Sequence, residues 1–463
     1  MTVSSATTSY RCLAAAGSCD VTPEVGMYHR MWGAASHDIS TGIHRPLQAH
    51  VVVQQDVEAL SPCVVWISLD HCLLMHHDMV WFREDIAQGA GVDVDQVFVC
   101  FTHTHGAGLM DSTRTDQPGG ELVKPYLKEM ANTIAATVAD TVSKLQPCWG
   151  QTTAGKCTLG HNRDQRDEQN GIYVCGHYED GTTDDTLLVG RWTNDDGHVI
   201  AAMVNYACHP TTLAWDNTLI SPDYIGATRE VIQNLHDCPC LFLQGASGDI
   251  GPREGYVGDT SVADRNGRQL GYSALAALES LDPPGKSYQY SGPVVSGATI
   301  GYWEHDDMQI MPHDTESSIE CFTVDLDYQD GLESVEAVQT ELEKWEQSDA
   351  DDARARAERC RRSLVRLGSV PTGVFPFEVT IQRLGRTAWV LLGGELYNWF
   401  QRELRERCPD LSIVVTTIAN GSRSWYILKE ESYGLGLYQE EASMLAAGSL
   451  ERLLEAVSDR LRR

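Results

Sequence analysis

The sequence predicts an α/β fold of the mixed α+β kind: a large mixed β-sheet core with flanking helices, and a functional site at the strand ends. Three observations lead there. Short apolar runs rich in β-branched and aromatic residues recur at 49–54, 64–69, 97–101, 199–207, 240–243, 322–326, 374–381, 387–392 and 413–418, each about the length of a buried strand. Amphipathic patterns at 122–145 and 225–236 lie between some of them, as expected of helices layered on a sheet. Several runs also stop at a break followed by polar residues, where open α/β sheets collect functional groups.

Taken in order, residues 1–9 are polar, without a basic start or an apolar stretch, so no secretory signal is expected. No apolar run is long enough to span a membrane, and a cytoplasmic location follows as the expectation. The fourteen cysteines are scattered, and Cys63, Cys100, Cys208 and Cys321 sit in strand-like runs. They read as small buried hydrophobes rather than disulfides, and Cys238-Pro239-Cys240, lacking a second pair, reads as structural. The segment 331–367 is rich in Glu, Ala, Arg and Gln and has no internal Gly or Pro. It reads as an inserted helical arm of one or two exposed amphipathic helices, and 440–463 reads as one more amphipathic helix. Without an internal repeat or Pro-rich linker, residues 1–463 read as a single domain carrying that arm.

The 463 residues are 42% apolar, as in ordinary globular proteins. A formal charge of −30, from 65 acidic and 35 basic residues, argues against nucleic acid or an anionic membrane as partner, since both select basic surfaces. The remaining partner is a small-molecule substrate, and the composition also leaves a homo-oligomer open. Arginine outnumbers lysine 28 to 7, consistent with a GC-rich genome or with salt adaptation.

The most informative stretch is Thr102-His103-Thr104-His105, directly after the run 97–101. Alternation along a strand would put both imidazoles on one face, suited to metal ligation or to one ligand beside an acid/base group. The same grammar of strand, break and polar residue gives Cys208-His209-Pro210, Gly394-Glu395 with Glu395 opening a helix at 396–407, and Asn420-Gly421-Ser422 with Tyr426 shortly after. A glycine-rich loop, Gly245-Ala246-Ser247-Gly248-Asp249-Ile250-Gly251-Pro252, lacks the Lys and hydroxyl residue of a phosphate-binding loop and the spacing of a nucleophile elbow. Singly, His209 also reads as a strand-end residue, Glu395 as a favourable helix start and Asp249 as a loop brace. Together, two histidines and a glutamate from three strand ends would make a catalytic zinc site with an open position for water.

With these motifs stand Asp20-Val21-Thr22-Pro23, Ile43-His44-Arg45-Pro46-Leu47, Ser68-Leu69-Asp70, His161-Asn162-Arg163, Asn205-Tyr206-Ala207, Ser221-Pro222-Asp223-Tyr224 and Tyr438-Gln439-Glu440. In this order they resemble the catalytic domain of the neutral (alkaline, non-lysosomal) ceramidases over nearly the whole chain. The resemblance implies one zinc ion held by His103, His209, Glu395 and Tyr426, with His105 as acid/base group beside it. Arg163 would hold the substrate or the developing oxyanion, and Asp249 and Gly251 would fall in the substrate-binding region. The implied reaction is amide hydrolysis by a metal-activated water, with an ester or lactone as alternative bond and a non-catalytic metal-binding protein as alternative function. The chain ends in a helix soon after the last motif, so the C-terminal immunoglobulin-like domain of true ceramidases is expected to be missing. It also departs from the family at Gly251, where ceramidases carry a serine in a Gly-Asp-Val-Ser-Pro-like motif. That departure points to a small polar N-acyl substrate rather than long-chain ceramide.

Overall fold

The computed structural model describes residues 7–58, 60, 63–311 and 314–463; most of the amino-terminal polar stretch, 1–6, lies outside them. Alternating side chains organise the core. On adjacent strands, Val51, Val53, Val65, Ile67, Val97 and Val99 point to one face, and Val52, Trp66, Phe98 and Cys100 to the other. Both faces are buried, so each strand needs a layer on either side. The first set packs on the helices His76–Ala90 and Val123–Val142. The second meets Leu384, Trp389, Leu391 and Val414 of another sheet, whose far face is covered by the helices Trp399–Arg407 and Ser449–Leu461. The result is four layers: helices, sheet, sheet, helices.

The larger sheet has eight strands in the order Cys240–Gln244, Val199–Tyr206, Thr186–Asn194, Gln146–Lys156, Thr8–Asp20, Gln48–Gln55, Val64–Leu69, Val97–Phe101. Its middle is antiparallel, with a parallel pair at each edge. The two edges approach each other: the Ser68 hydroxyl donates to the Phe242 carbonyl at 2.7 Å and accepts from the Phe242 amide at 3.0 Å. The second sheet runs Ser317–Leu326, Phe375–Leu384, Thr387–Leu392, Ser412–Thr416. Its last strand is tied to the first sheet by Asn205, which donates to the carbonyls of Val415 (2.8 Å) and Leu243 (2.9 Å), and by Asn420, whose side chain accepts from the Val99 amide at 2.9 Å. Strand ends from both sheets therefore gather in one place.

The nine expected strands are all present within a few residues, and both expected helices are found. The arm consists of two helices, Val335–Glu346 and Ala353–Leu367, inserted between the antiparallel neighbours Ser317–Leu326 and Phe375–Leu384. Val338, Leu342, Ala357 and Cys360 form a small cluster between them.

Four local expectations are corrected. Glu395 does not open a helix: Glu395–Leu396 pairs in parallel with Tyr426–Ile427, and the helix starts at Trp399. The tail is not one helix but Tyr438–Ala442 and Ser449–Leu461, separated at Gly448 with φ 87°. Cys321 is exposed and Cys63 only half-buried, although all fourteen cysteines are free and Cys100 and Cys208 are buried. Cys321 projects outward from an edge strand, where burial is not imposed. Finally, His103 and His105 are not on a strand, as the site shows. Among the described residues, no helix is long and apolar enough to cross a membrane.

Candidate metal centre and active-site chamber

The strand Val97–Phe101 ends before Thr102, and His103 takes a left-handed φ of 67°, uncommon for a residue with a side chain. His105 then opens a short 3₁₀ turn, His105–Ala107. The two rings do converge, with centroids 5.1 Å apart, but through this kink rather than strand alternation. Such strain persists only where neighbours impose it. Here the His103 amide donates to the His71 carbonyl at 2.9 Å, and Thr102 donates to Asp70, which is locked to Arg229 at 2.7 Å in the core.

His209 follows the strand Val199–Tyr206 and is held by its amide on the Ile250 carbonyl, 2.9 Å. Glu395 lies opposite Tyr426 in the two-residue parallel ladder, so the pairing register itself sets carboxylate beside phenol. The glycine-rich loop fits against that ladder because Gly248 has no side chain: a Cβ there would meet the Glu395 carbonyl at 2.8 Å.

His103 Nδ1 lies 2.8 Å from the Cys72 carbonyl, and His209 Nδ1 lies 3.0 Å from the Ser247 carbonyl. Carbonyls only accept, so both Nδ1 atoms donate, which turns both Nε2 atoms toward the centre. Those Nε2 atoms are 2.9 Å apart, and Glu395 Oε2 lies 3.3 Å from one and 3.5 Å from the other. Three buried atoms of ligand type thus face a common point, and Glu395 Oε2 has no hydrogen-bond partner among the described residues. The arrangement fits a cation: ligands at about 2.0–2.1 Å around a tetrahedral zinc stand about 3.3 Å from one another. A competing group, Cys72, His103 and His105, would need His103 Nδ1, which is already committed to the Cys72 carbonyl.

Beside this centre opens a chamber of about 510 Å³, within the usual range for small-molecule sites. His105, Arg163 and Tyr426 line it, while His103, His209 and Glu395 stand behind its wall. Both ring nitrogens of His105 are buried without a partner among the described residues, and Trp32 covers the ring at 5.2 Å. Burial, then the neighbouring His103 and Arg163, pushes its pKa well below the ordinary histidine value. Arg163 is anchored by Nη2 on the Gly248 carbonyl, 2.7 Å, and also donates to the Tyr426 hydroxyl at 3.1 Å. Burial, and next the charge of Glu395, keeps the Tyr426 phenol protonated well above its usual range.

Asp249 and Gly251 stand outside the chamber wall. Asp249 accepts from the Asn398 amide at 2.7 Å and from Asn162 at 3.3 Å, and burial, then Asp164, raises it to about 7. A Cβ on Gly251 would lie 3.7 Å from Arg163 and 3.9 Å from Thr211 Oγ1, ordinary contact distances. Sequence reasoning did not point to Trp32, Thr211 or Tyr256, nor to the arm residues Arg362 and Arg366, all of which line the chamber. Only the last two left a trace: Glu358, Arg362 and Arg366 repeat every four residues, one stripe of a helix.

No family model and no curated protein matches the sequence. Solved structures do match. The neutral ceramidase of Pseudomonas aeruginosa superposes with a TM-score of 0.64 at 14% identity, covering 98% of this chain and 74% of that one. The fold is that of neutral ceramidase. A ceramidase complexed with C2 gives the same TM-score and identity, with 98% and 75% coverage. At this identity the likeness speaks for the neutral-ceramidase architecture and leaves the chemistry to the site itself.

Proposed function

We propose that this chain is a zinc-dependent hydrolase that cleaves the amide bond of a small, polar N-acyl substrate, and that the described chain works as one catalytic unit with the arm as an insertion. The observation that carries the reading is the meeting of two histidine Nε2 atoms and a carboxylate oxygen within 3.5 Å of one another, behind a chamber wall bearing an unpartnered histidine. His103, His209 and Glu395 would hold the ion, with Tyr426 as fourth donor. A zinc ion so held acts as a Lewis acid and makes water nucleophilic near neutral pH.

The chain's own groups complete the task. His105, neutral through burial and free at both nitrogens, is available to take a proton from the attacking water and pass one to the leaving amine. Arg163, fixed by Gly248, directs positive charge into the chamber, where an amide carbonyl oxygen gaining negative charge would be stabilised. The Tyr426 hydroxyl, held protonated, accepts from Arg163 and keeps that guanidinium aimed. An amide is favoured over an ester because the structural neighbours are ceramidases, and ceramide is an N-acyl lipid; a chamber of about 510 Å³ favours a smaller substrate than that lipid.

Metal analysis of protein purified without chelator, with a panel of short N-acyl compounds, tests this. We expect one zinc per chain, amide hydrolysis, and loss of both metal and turnover in His103→Ala and His209→Ala. Full metal retention in both variants, or hydrolysis that survives complete metal removal, would overturn it.

A further inference from the structure

The chain carries a formal charge of −30, yet its chamber is lined by four arginines, Arg163, Arg359, Arg362 and Arg366, and only two carboxylates, Glu358 and Glu441. Both carboxylates are already engaged. Glu358 pairs with Arg114 at 2.8 Å and with Arg362 at 3.1 Å, and Glu441 pairs with Arg359 at 2.9 Å near the rim. Among the described residues, no carboxylate lies within ion-pair distance of Arg163 or Arg366.

Arg163 is accounted for by the reacting carbonyl; Arg366 is not. Its guanidinium stacks over Trp425 at 5.5 Å, is held by Nη1 on the Ala442 carbonyl at 2.6 Å and by Nη2 on the Ser363 hydroxyl at 3.3 Å, and leaves Nε buried without a partner. Burial lowers its pKa from the ordinary value, the mark of a cation short of compensation. A fixed planar fork on an indole is a poor device for solvent contact and a good one for a planar anion. Around it Trp32, Tyr173, Val174 and Trp425 give the chamber an apolar wall.

We infer that the substrate is an N-acyl amino acid, its carboxylate received by Arg366 with Arg362 beside it, its acyl group on the aromatic wall, and its amide turned to His105 and Arg163. The inference rests on the hydrolase reading above and names its substrate class. The arm thereby supplies specificity while the strand ends supply chemistry.

The test compares N-acyl amino acids, such as N-acetylphenylalanine and N-hexanoylglycine, with counterparts in which the carboxylate is a primary carboxamide, following release of the α-amine. Hydrogen bonds to a charged group favour the acid by about 10–100-fold in kcat/KM. Arg366→Gln is expected to erase that preference, mainly by raising KM for the acid, so that the acid-to-carboxamide ratio of kcat/KM falls to near one; Arg366→Lys restores part of the ratio. Equal or better cleavage of the carboxamides by the unaltered enzyme would overturn the inference, as would an Arg366→Gln variant that loses both substrates alike. Calorimetric binding of the same pairs reads the chamber independently of turnover. Tighter binding of the acids without cleavage would sustain the inference and refute the hydrolase reading; indifference would refute the inference alone.

Discussion

Replacing His105 with Ala separates chemistry from structure more cleanly than any other change at the centre. The ring makes no hydrogen bond among the described residues, so its removal orphans no buried donor or acceptor. What is lost is packing against Trp32 at 5.2 Å, His103 at 5.1 Å and His209 at 5.4 Å, on a side open to the chamber, where water can refill the space. A stability loss of about 1–2 kcal/mol is expected, near the average for point substitutions. The three atoms that converge on the metal position do not involve His105, so metal content should stay at the unaltered level. Turnover, by contrast, should fall by about 10²–10⁴-fold, the usual worth of a positioned proton carrier, which is about 3–5 kcal/mol of barrier. Metal analysis, thermal melting and steady-state kinetics on the best amide measure the three quantities side by side. Loss of metal would make His105 a ligand, and turnover within a few-fold of normal would make it a packing residue; either result refutes the role assigned here.

Gly251→Ser should fold and keep activity, with stability changed by less than about 1 kcal/mol, because the new Cβ meets only ordinary contacts; it should not confer cleavage of long-chain ceramide, and assays on both substrate types check this. Asp70→Ala should cost about 3–5 kcal/mol in urea unfolding, since it strips the partner from Arg229, which is 2% exposed, and releases Thr102. Buried His29, its pKa lowered to about 4 by burial, donates to the Gly106 carbonyl beside His105. Between about pH 6.5 and 4 the unfolded chain binds the proton that this site refuses, so the stability it confers is complete above pH 6.5 and lost on acidification, by about 3 kcal/mol in all. His29→Gln should flatten the urea midpoint's dependence on pH across that window.

Strands buried on both faces were legible because their composition leaves little alternative: Val64–Leu69 and Thr387–Leu392 are apolar but for Ser68 and Thr387, and buried at every position. The strand Thr8–Asp20 escaped notice although it is the longest in the first sheet and joins its two halves. Its interior, Cys-Leu-Ala-Ala-Ala-Gly-Ser-Cys, carries weak strand propensity, and two neighbouring strands hold it in place instead. The hairpin of Lys286–Ser296 and Ala298–Asp307 was missed for the opposite reason. Most of its residues are exposed, so it shows no buried period to read.

At the site, the residues proposed to hold the metal stand at strand ends, and a strand end writes itself into the sequence as an apolar run that stops. His103, His209 and Glu395 were visible for that reason, even though the φ of His103 and the ladder that fixes Glu395 were not. Residues that shape the chamber carry no such signature. Arg362 and Arg366 sit on a helix whose sequence, taken alone, is that of a solvated face, with charge repeating along one stripe. They face a chamber only because Ala355 packs against Gly33, Arg114 reaches Glu358, and Arg366 meets Ala442, contacts contributed by segments far away in the chain. An exposed amphipathic helix and the roof of a binding site are the same sequence in different company. Of the two, Arg366 in an acidic protein favours the roof, because its guanidinium lies over Trp425, is held on the Ala442 carbonyl and has no carboxylate partner among the described residues.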